Sequence, residues 1–386
     1  MAPTPRPGIL DIEPYVGGEA SLPGFDRPAR LASNENALGA SAKARQAYLE
    51  TADDLQRYPD GGATALRQAI AQVHELDAGR IVCGAGSDEL IALLVRAYAG
   101  PGDEVLYSRH GFLMYPIAAT TAGATAVAAP ETAELKADVD ALLARVGERT
   151  KLVFLANPNN PTGTYLPKSE LERLRAGLPA GTLLVIDAAY AEYVDDTAYT
   201  DGADMVDAGA RDGGAPDGGA EVVMTRTFSK IHGLAALRLG WLYGPRDVVD
   251  VMNRVRGPFN VAKPALAAGA AAVLDRDHVA RSLAHNNQWR DWFRQQVGGA
   301  GLEVLPSAAN FVLVRLQDPA QAEAAVAHCK RHGVLTRQMA KYGLPDCLRV
   351  SIGAEWEMRM AADAFADFAR AHGLDAGGPG GAERTA

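Results

Sequence analysis

Short, almost wholly apolar runs recur along the chain, and longer stretches of helical periodicity separate them. Residues 80–83, 104–107, 152–156, 183–186 and 222–225 read as strands, since apolar runs without polar alternation suit strands covered on both faces. Between the first two, residues 87–99 place Leu90, Leu94 and Ala97 on one face of a helix. Continuous apolar strands alternating with helices predict an α/β fold with a mostly parallel sheet. Before about Ala40 the chain is rich in Pro and Gly and reads as an extended arm. After about Lys263 the pattern changes: long Ala-rich helices lead to strand candidates at 310–315 and 348–352, which predicts a smaller α/β domain. The predicted organisation is an N-terminal arm (1–40), a large domain (41–262), a small C-terminal domain (263–374) and a disordered Gly-rich tail (375–386). Residues 204–219, rich in Gly and Asp, read as a surface excursion, and no internal repeat is visible.

Composition narrows the partners. A length of 386 residues suggests about two domains, and a hydrophobic fraction of 48% fits a well-packed globular chain. The net charge of -9, with no long basic block, argues against nucleic acid, whose phosphates call for clustered Lys and Arg. The opening Met1-Ala2-Pro3-Thr4-Pro5-Arg6-Pro7-Gly8 has no apolar centre of a signal peptide. The longest apolar runs, such as 262–274, fall short of the ~20 residues that span a membrane. Cys83, Cys329 and Cys347 show no CxxC spacing and read as free thiols, which points to a reducing, cytoplasmic setting.

Four motifs directly follow predicted strands, where open α/β sheets bind their ligands. Gly84-Ala85-Gly86-Ser87-Asp88 is a Gly-rich turn opening a helix, whose N–H groups and dipole suit a phosphate. Ser87 or Asp88 serves equally well as a plain N-cap. In Asn157-Pro158-Asn159-Asn160-Pro161-Thr162-Gly163, Asn160 precedes a proline and is held from helical geometry, so its amide can point into a site, although such segments are often only loops. Asp187, ending the run 183–186, needs a cation or several donors: an arginine, or the protonated ring nitrogen of a pyridine cofactor. Tyr190 beside it is also compatible with core packing. A lone lysine is usually a solvated charge, yet Lys230 in Thr227-Phe228-Ser229-Lys230-Ile231-His232-Gly233 follows an apolar strand and precedes an apolar stretch. An amine there loses solvation, its pKa falls, and it becomes nucleophilic toward an aldehyde. Thr227, Ser229 and Arg238 supply the hydroxyls and cation that a phosphate needs.

Asn160, Asp187, Tyr190, Lys230 and Arg238, in that order and spacing, resemble the fold type I pyridoxal-phosphate enzymes, and among them the histidinol-phosphate aminotransferases. Ser33-Asn34-Glu35-Asn36, Arg57-Tyr58-Pro59-Asp60-Gly61, Ala309-Asn310-Phe311 and Leu348-Arg349-Val350 extend the resemblance from about Gly8 to Gly373. It implies a seven-stranded sheet between helices and a smaller C-terminal domain. It also implies pyridoxal 5′-phosphate as cofactor, with no metal, and Lys230 as the Schiff-base lysine that carries the proton. Asp187 would pair with the ring nitrogen, Asn160 and Tyr190 would bond the ring oxygen, and Phe112 would cover a ring face. The phosphate would lie among the N–H groups of Gly86, Ser87 and Asp88, with Thr227, Ser229 and Arg238. Tyr58 would reach it from the other subunit of a homodimer. Arg349 would take the substrate anion, helped by Arg337 and Tyr15, with Asn34 and Asn310 lining the same pocket.

The implied reaction is reversible amino transfer between L-histidinol phosphate and 2-oxoglutarate in histidine synthesis. An aromatic amino-acid aminotransferase acting on phenylalanine or tyrosine is the nearest alternative. Threonine-phosphate decarboxylase shares the fold and a phosphorylated substrate, and a non-catalytic cofactor-binding regulator would carry a DNA-binding segment for which the arm leaves no room. Gly17 and Ala37 stand where the family often has Pro, His232 where it often has an aromatic, and Asp187-Ala188 replaces a common Asp-Glu pair.

Overall fold

The computed structural model describes residues 3–209 and 219–374. The arm passes through a two-residue strand, β1 (Ala29–Arg30), before the chain lays down seven strands. These are β2 (Ile81–Gly84), β3 (Glu104–Ser108), β4 (Thr125–Ala129), β5 (Thr150–Ala156), β6 (Leu183–Asp187), β7 (Glu221–Thr227) and β8 (Gly240–Tyr243). They form one sheet in the order β2-β8-β7-β6-β5-β3-β4. The ladders β3/β4, β3/β5, β5/β6 and β6/β7 are parallel, whereas β8 runs antiparallel to both β2 and β7. Around and between them lie α1 (Ala42–Leu49), α2 (Thr64–His74), α3 (Ser87–Tyr98), α4 (Met114–Ala122), α5 (Val139–Leu143), α6 (Lys168–Gly177), α7 (Ala203–Gly209), α8 (Arg246–Val255) and α9 (Lys263–Leu274).

The apolar runs are continuous because both faces of this sheet are covered. Successive side chains alternate faces. Val153, Leu155, Leu184, Ile186, Val222 and Met224 join one core. Leu152, Phe154, Leu183, Val185 and Val223 join the core on the other side, which Leu90 and Leu94 of α3 complete. The α9 helix, which begins where the hydrophobic pattern changes, packs on α1 and α2 and buries Ala265, Ala268 and Ala272 in the first of these cores.

The rest of the chain runs through α10 (Arg276–Gly299), β9 (Glu303–Val304), β10 (Phe311–Arg315), α11 (Pro319–Arg331), β11 (Val334–Leu335), β12 (Arg337–Met339), β13 (Leu344–Ser351) and α12 (Glu355–Ala371). An antiparallel sheet, β12-β13-β10-β9, turns Val312, Val314, Leu348 and Val350 toward a core shared with Trp289, Phe293, Phe365 and Phe368 of the helices. By the same alternation Phe311 points the other way, into a cluster with Tyr190, Tyr193 and Ile231 beside the first sheet. Parallel pairing of β1 with β11 fastens the arm to this second unit.

Several expectations are corrected. Arg80 does not start the first strand: it ends a 3-10 turn, buried, with its guanidinium 2.6 Å from Asp207. Residues 203–209 are no surface excursion but helix α7, whose Met205 and Val206 are buried in the core beside β7. The remainder of that Gly- and Asp-rich stretch, 210–218, lies outside the described residues, as does the tail at 375–386. Strands β4 and β8 carry no strong sequence signal: β4 is Ala-rich at the sheet edge, and β8 is four residues long beginning with Gly. Among the described residues no helix is long and apolar enough to cross a membrane.

Candidate active site

In the seven-stranded sheet β2, β3, β5, β6 and β7 point the same way, so the segments that follow them meet at one edge. A cavity of about 380 Å³ opens there, between that edge, the arm and the face of the second sheet. Ser87, Asp88, Phe112, Asn160, Asp187, Tyr190, Thr227, Ser229, Lys230, Arg238, Tyr15, Asn34, Arg337 and Arg349 all line it, although they span most of the sequence. Shared strand direction brings the residues of the first sheet to this edge, and Tyr15, Asn34, Arg337 and Arg349 reach it from the arm and the second sheet.

Lys230 follows β7, and its Nζ lies 5.8 Å from the centre of the Tyr190 ring. Burial, aided by the neighbouring Arg349 and Arg238 charges, pulls its ammonium down to about 8. The turn that carries it is tied to the arm: Asn36 Nδ2 donates to the carbonyls of Lys230 and Ile231, at 3.3 and 2.7 Å. Asp187, the last residue of β6, is buried. Its Oδ2 accepts from Tyr115 Oη at 2.7 Å and its Oδ1 from Thr225 Oγ1 at 3.4 Å. Burial still pushes its carboxyl above the usual range, although these hydrogen bonds pull the other way. Tyr115 is itself buried and stacks on Phe154, with ring centres 4.7 Å apart.

A second group gathers cations and hydroxyls. Gly86 has φ +92°, where an L side chain is strained, and a Cβ there would come within 2.6 Å of Arg238 Nη2. The Gly-rich turn can therefore lie flat against Arg238, which is bound to Asp88 at 2.8 Å and donates to Ser229 Oγ at 3.4 Å. Thr227 Oγ1 accepts from the Ser229 N–H at 3.1 Å.

Across the cavity stands a third group. Leu348 and Val350 face the second core, so Arg349 between them faces the cavity. Its Nη1 donates to Asn160 Oδ1 at 2.6 Å and its Nη2 to the Ala32 carbonyl at 2.8 Å, and its buried Nε has no partner. Among the described residues no carboxylate pairs with it. Arg337 sits directly opposite on β12, since the two arginines are register partners. It holds the arm through Tyr15 Oη at 3.3 Å and the Val16 carbonyl at 2.8 Å. Asn34 Nδ2 donates to Tyr190 Oη at 3.0 Å. Burial raises the Tyr190 phenol above its ordinary pKa.

A profile of the family described as aminotransferase class I and II matches residues 28–365. The chain belongs to the class I and II aminotransferases. A histidinol-phosphate aminotransferase of Rhodospirillum centenum is 56% identical over 367 residues, covering 95% of this chain and 98% of the relative. One from Maricaulis maris is 53% identical over 373 residues, covering 96% of this chain and 100% of the relative. The crystal structure of histidinol-phosphate aminotransferase from Sinorhizobium meliloti in complex with pyridoxal-5′-phosphate superposes with a TM-score of 0.84 at 28% identity, covering 95% and 97% of the two chains.

Within this aminotransferase one expected position differs from the sequence reading. Asn310 does not line the cavity: its Nδ2 donates to the carbonyls of Asn34 and Glu35, at 3.0 and 3.3 Å, and so shapes the arm from behind. Tyr58 lies away from the cavity, 81% exposed, and stacks on Phe259 with ring centres 4.7 Å apart. His232 is buried against Phe228, and burial pulls its imidazole down to about 4. Its Nε2 lies 3.8 Å from Glu192, within the ion cluster that Arg226 makes with Glu192 and Asp201. Tyr115 carries no role in the sequence reading, and Asn36 stands there only as part of the Ser33-Asn34-Glu35-Asn36 motif. The spacing of Phe112 and Tyr115 at i and i+3 was a usable signal for Tyr115, because that spacing puts two side chains on one face of a helical turn.

Proposed function

We propose that this aminotransferase moves an amino group reversibly between L-histidinol phosphate and 2-oxoglutarate, using pyridoxal 5′-phosphate in the cytoplasm as a homodimer. One observation carries the substrate reading: Arg349 is a buried guanidinium with a free Nε, no carboxylate partner among the described residues, and a second guanidinium as its cross-strand neighbour. A buried, uncompensated cation is costly, and a bound anion relieves it. Histidinol phosphate brings a phosphate ester and glutamate a carboxylate, so one anion site at Arg349 and Arg337 serves both halves of the reaction. The high identity to named histidinol-phosphate aminotransferases supports the same choice.

The donor set fits the cofactor. Asp187 is a buried carboxylate that suits a protonated ring nitrogen, and Tyr115 and Thr225 fix its orientation. Asn160 and Tyr190 are placed to hold the ring oxygen, and Phe112 to cover a ring face. Ser87, Asp88, Thr227, Ser229 and Arg238 form a phosphate cradle that the missing Cβ of Gly86 keeps open. When bound, the cofactor supplies an aldehyde and an electron-accepting ring. Lys230 Nζ, neutral above about pH 8, would take the proton from the amino-bearing carbon of the substrate and pass it to the carbon that the cofactor brings as its aldehyde, and the reverse half-reaction would run the same transfer backwards. Arg349 and Arg337 hold the anionic end and so orient that carbon toward Lys230, while Asn34 fixes the Tyr190 hydroxyl. In the dimer, Tyr58 would extend to the cradle of the other subunit.

The deciding measurement compares kcat/KM for histidinol phosphate, phenylalanine and tyrosine as donors to 2-oxoglutarate. Histidinol phosphate should lead by an order of magnitude or more. A preference for phenylalanine or tyrosine would replace the substrate while leaving the chemistry at Lys230 intact.

A further inference from the structure

Away from the cavity, the second unit carries a cluster that amino transfer does not use. His328 and His332 lie on one face of α11, four residues apart, at its last turn and C-cap. Asp367 comes from α12, and one ligand atom from each of the three lies within 4.8 Å of the others. The imidazole rings are stacked with centres 4.4 Å apart. Both Nε2 atoms approach the same carboxylate oxygen, Asp367 Oδ2, at 3.2 Å from His328 and 3.6 Å from His332. His328 is only 7% exposed, and its Nε2 faces the Asp367 carboxylate as its ion-pair partner.

The surroundings orient these atoms. His332 Nδ1 meets the His328 carbonyl at 3.0 Å, which places the proton on Nδ1 and leaves the Nε2 lone pair free. Arg370 donates to Asp367 Oδ1 at 3.2 Å and leaves Oδ2 facing the imidazoles. The Phe368 ring, 5.6 Å from the His328 ring, forms an apolar wall. Arg331 Nη2 lies 3.4 Å from His328 Nδ1, and this exposed side chain must swing into solvent when that nitrogen takes the proton.

The geometry points to a binding site for a divalent transition ion of the zinc type, held by His328 Nε2, His332 Nε2 and Asp367 Oδ2. Two imidazoles favour Zn²⁺ over the hard cations Mg²⁺ and Ca²⁺, which select oxygen donors. Three protein ligands leave a position for water. The ion bridges α11 and α12, so it stabilises the folded second unit by mass action. None of the three ligands lines the cavity, which makes the site structural and independent of the transamination chemistry.

The test uses the untagged, cofactor-loaded full chain, freed of metal by chelation and titrated with ZnCl₂ by calorimetry and thermal denaturation. One Zn²⁺ should bind per chain and raise the melting temperature, MgCl₂ should do neither, and kcat should stay unchanged. His332→Ala and Asp367→Asn, both at partly exposed positions, should each weaken binding by about tenfold or more, as loss of a ligand or its orientation does. Wild-type protein that binds no Zn²⁺, or variants that bind it as tightly as the wild type, overturn the site.

Discussion

The two sides of the cavity are built differently. The floor, at the edge of the seven-stranded sheet, holds Asp187 and Thr227 as the last residues of β6 and β7, and Asn160 and Lys230 in the turns that follow β5 and β7. Its positions are fixed by ladder hydrogen bonds and by buried contacts such as Tyr115 to Asp187. The opposite wall combines a stretch of arm with little regular structure, around Tyr15 and Asn34, with arginines from the second sheet. Asn34 is buried and held by Ser351 and Asn310, whereas the stretch around Tyr15 rests on a few side-chain bonds, those of Arg337 to Tyr15 and Val16. A rigid floor suits chemistry that tolerates little displacement, whereas a wall held by few contacts suits admission and release of substrate.

This contrast can be broken from either side. The largest effect is expected from Lys230→Ala on the floor. Transamination should fall by more than about 10³-fold, because the group that moves the proton is gone, and a variant that retains a tenth of wild-type kcat would refute its role. Arg349→Ala comes next. Removal of a buried cation from a charged pair costs about 2–5 kcal/mol, so kcat/KM for both half-reactions should drop by ~10²-fold or more. Equal loss for both donors sharpens the idea of one shared anion site, and loss for only one breaks it. Arg337→Ala, on the partly exposed wall, should raise KM by about tenfold and leave kcat nearly unchanged, the mark of lost uniform binding. A fall in kcat with unchanged KM would move Arg337 into the chemistry.

The pH dependence supplies a finer test. Because burial and two neighbouring guanidiniums hold the Lys230 ammonium near 8, the neutral amine predominates above that pH and protonation removes it below. The rate at which cofactor-free chain takes up pyridoxal 5′-phosphate should therefore fall as pH drops through about 8. A midpoint near that of an ordinary lysine would contradict the assignment. In Arg349→Ala the midpoint should rise, since one of the charges that lower it is absent. The smallest effect is that of Tyr115→Phe. Loss of one hydrogen bond to a buried carboxylate should cost about 1–3 kcal/mol in urea unfolding.

Much of the floor was legible in the sequence. Asp187, Asn160 and Lys230 each combine an unbroken apolar run with a polar residue at its end, and strand, turn and motif are then contiguous. The edge strand β4 and the short β8 escaped notice because partial exposure and an initial Gly dilute the signal. The change of hydrophobic pattern at Lys263 is a change of composition and not of core: α9 is Ala-rich because it packs closely on α1 and α2. Asn310 matched the family motif, but the motif could not tell a pocket wall from a brace behind the arm. No local pattern distinguished His328 and His332 from surface histidines, because their third partner lies on another helix.

By itself the sequence determined the α/β class, the strand-end chemistry and the aminotransferase family, since these depend on runs of neighbouring residues and on motifs short enough to be read in place. Tertiary structure alone decided that Arg337 stands beside Arg349, that Tyr115 holds Asp187, that Asn34 reaches Tyr190, and that two helices bring His328, His332 and Asp367 together. The physical reason is the same in each case. Sheet register and helix packing fix distances between residues far apart in the chain, and the charge and hydrogen bonding that tune a site act over only a few ångströms.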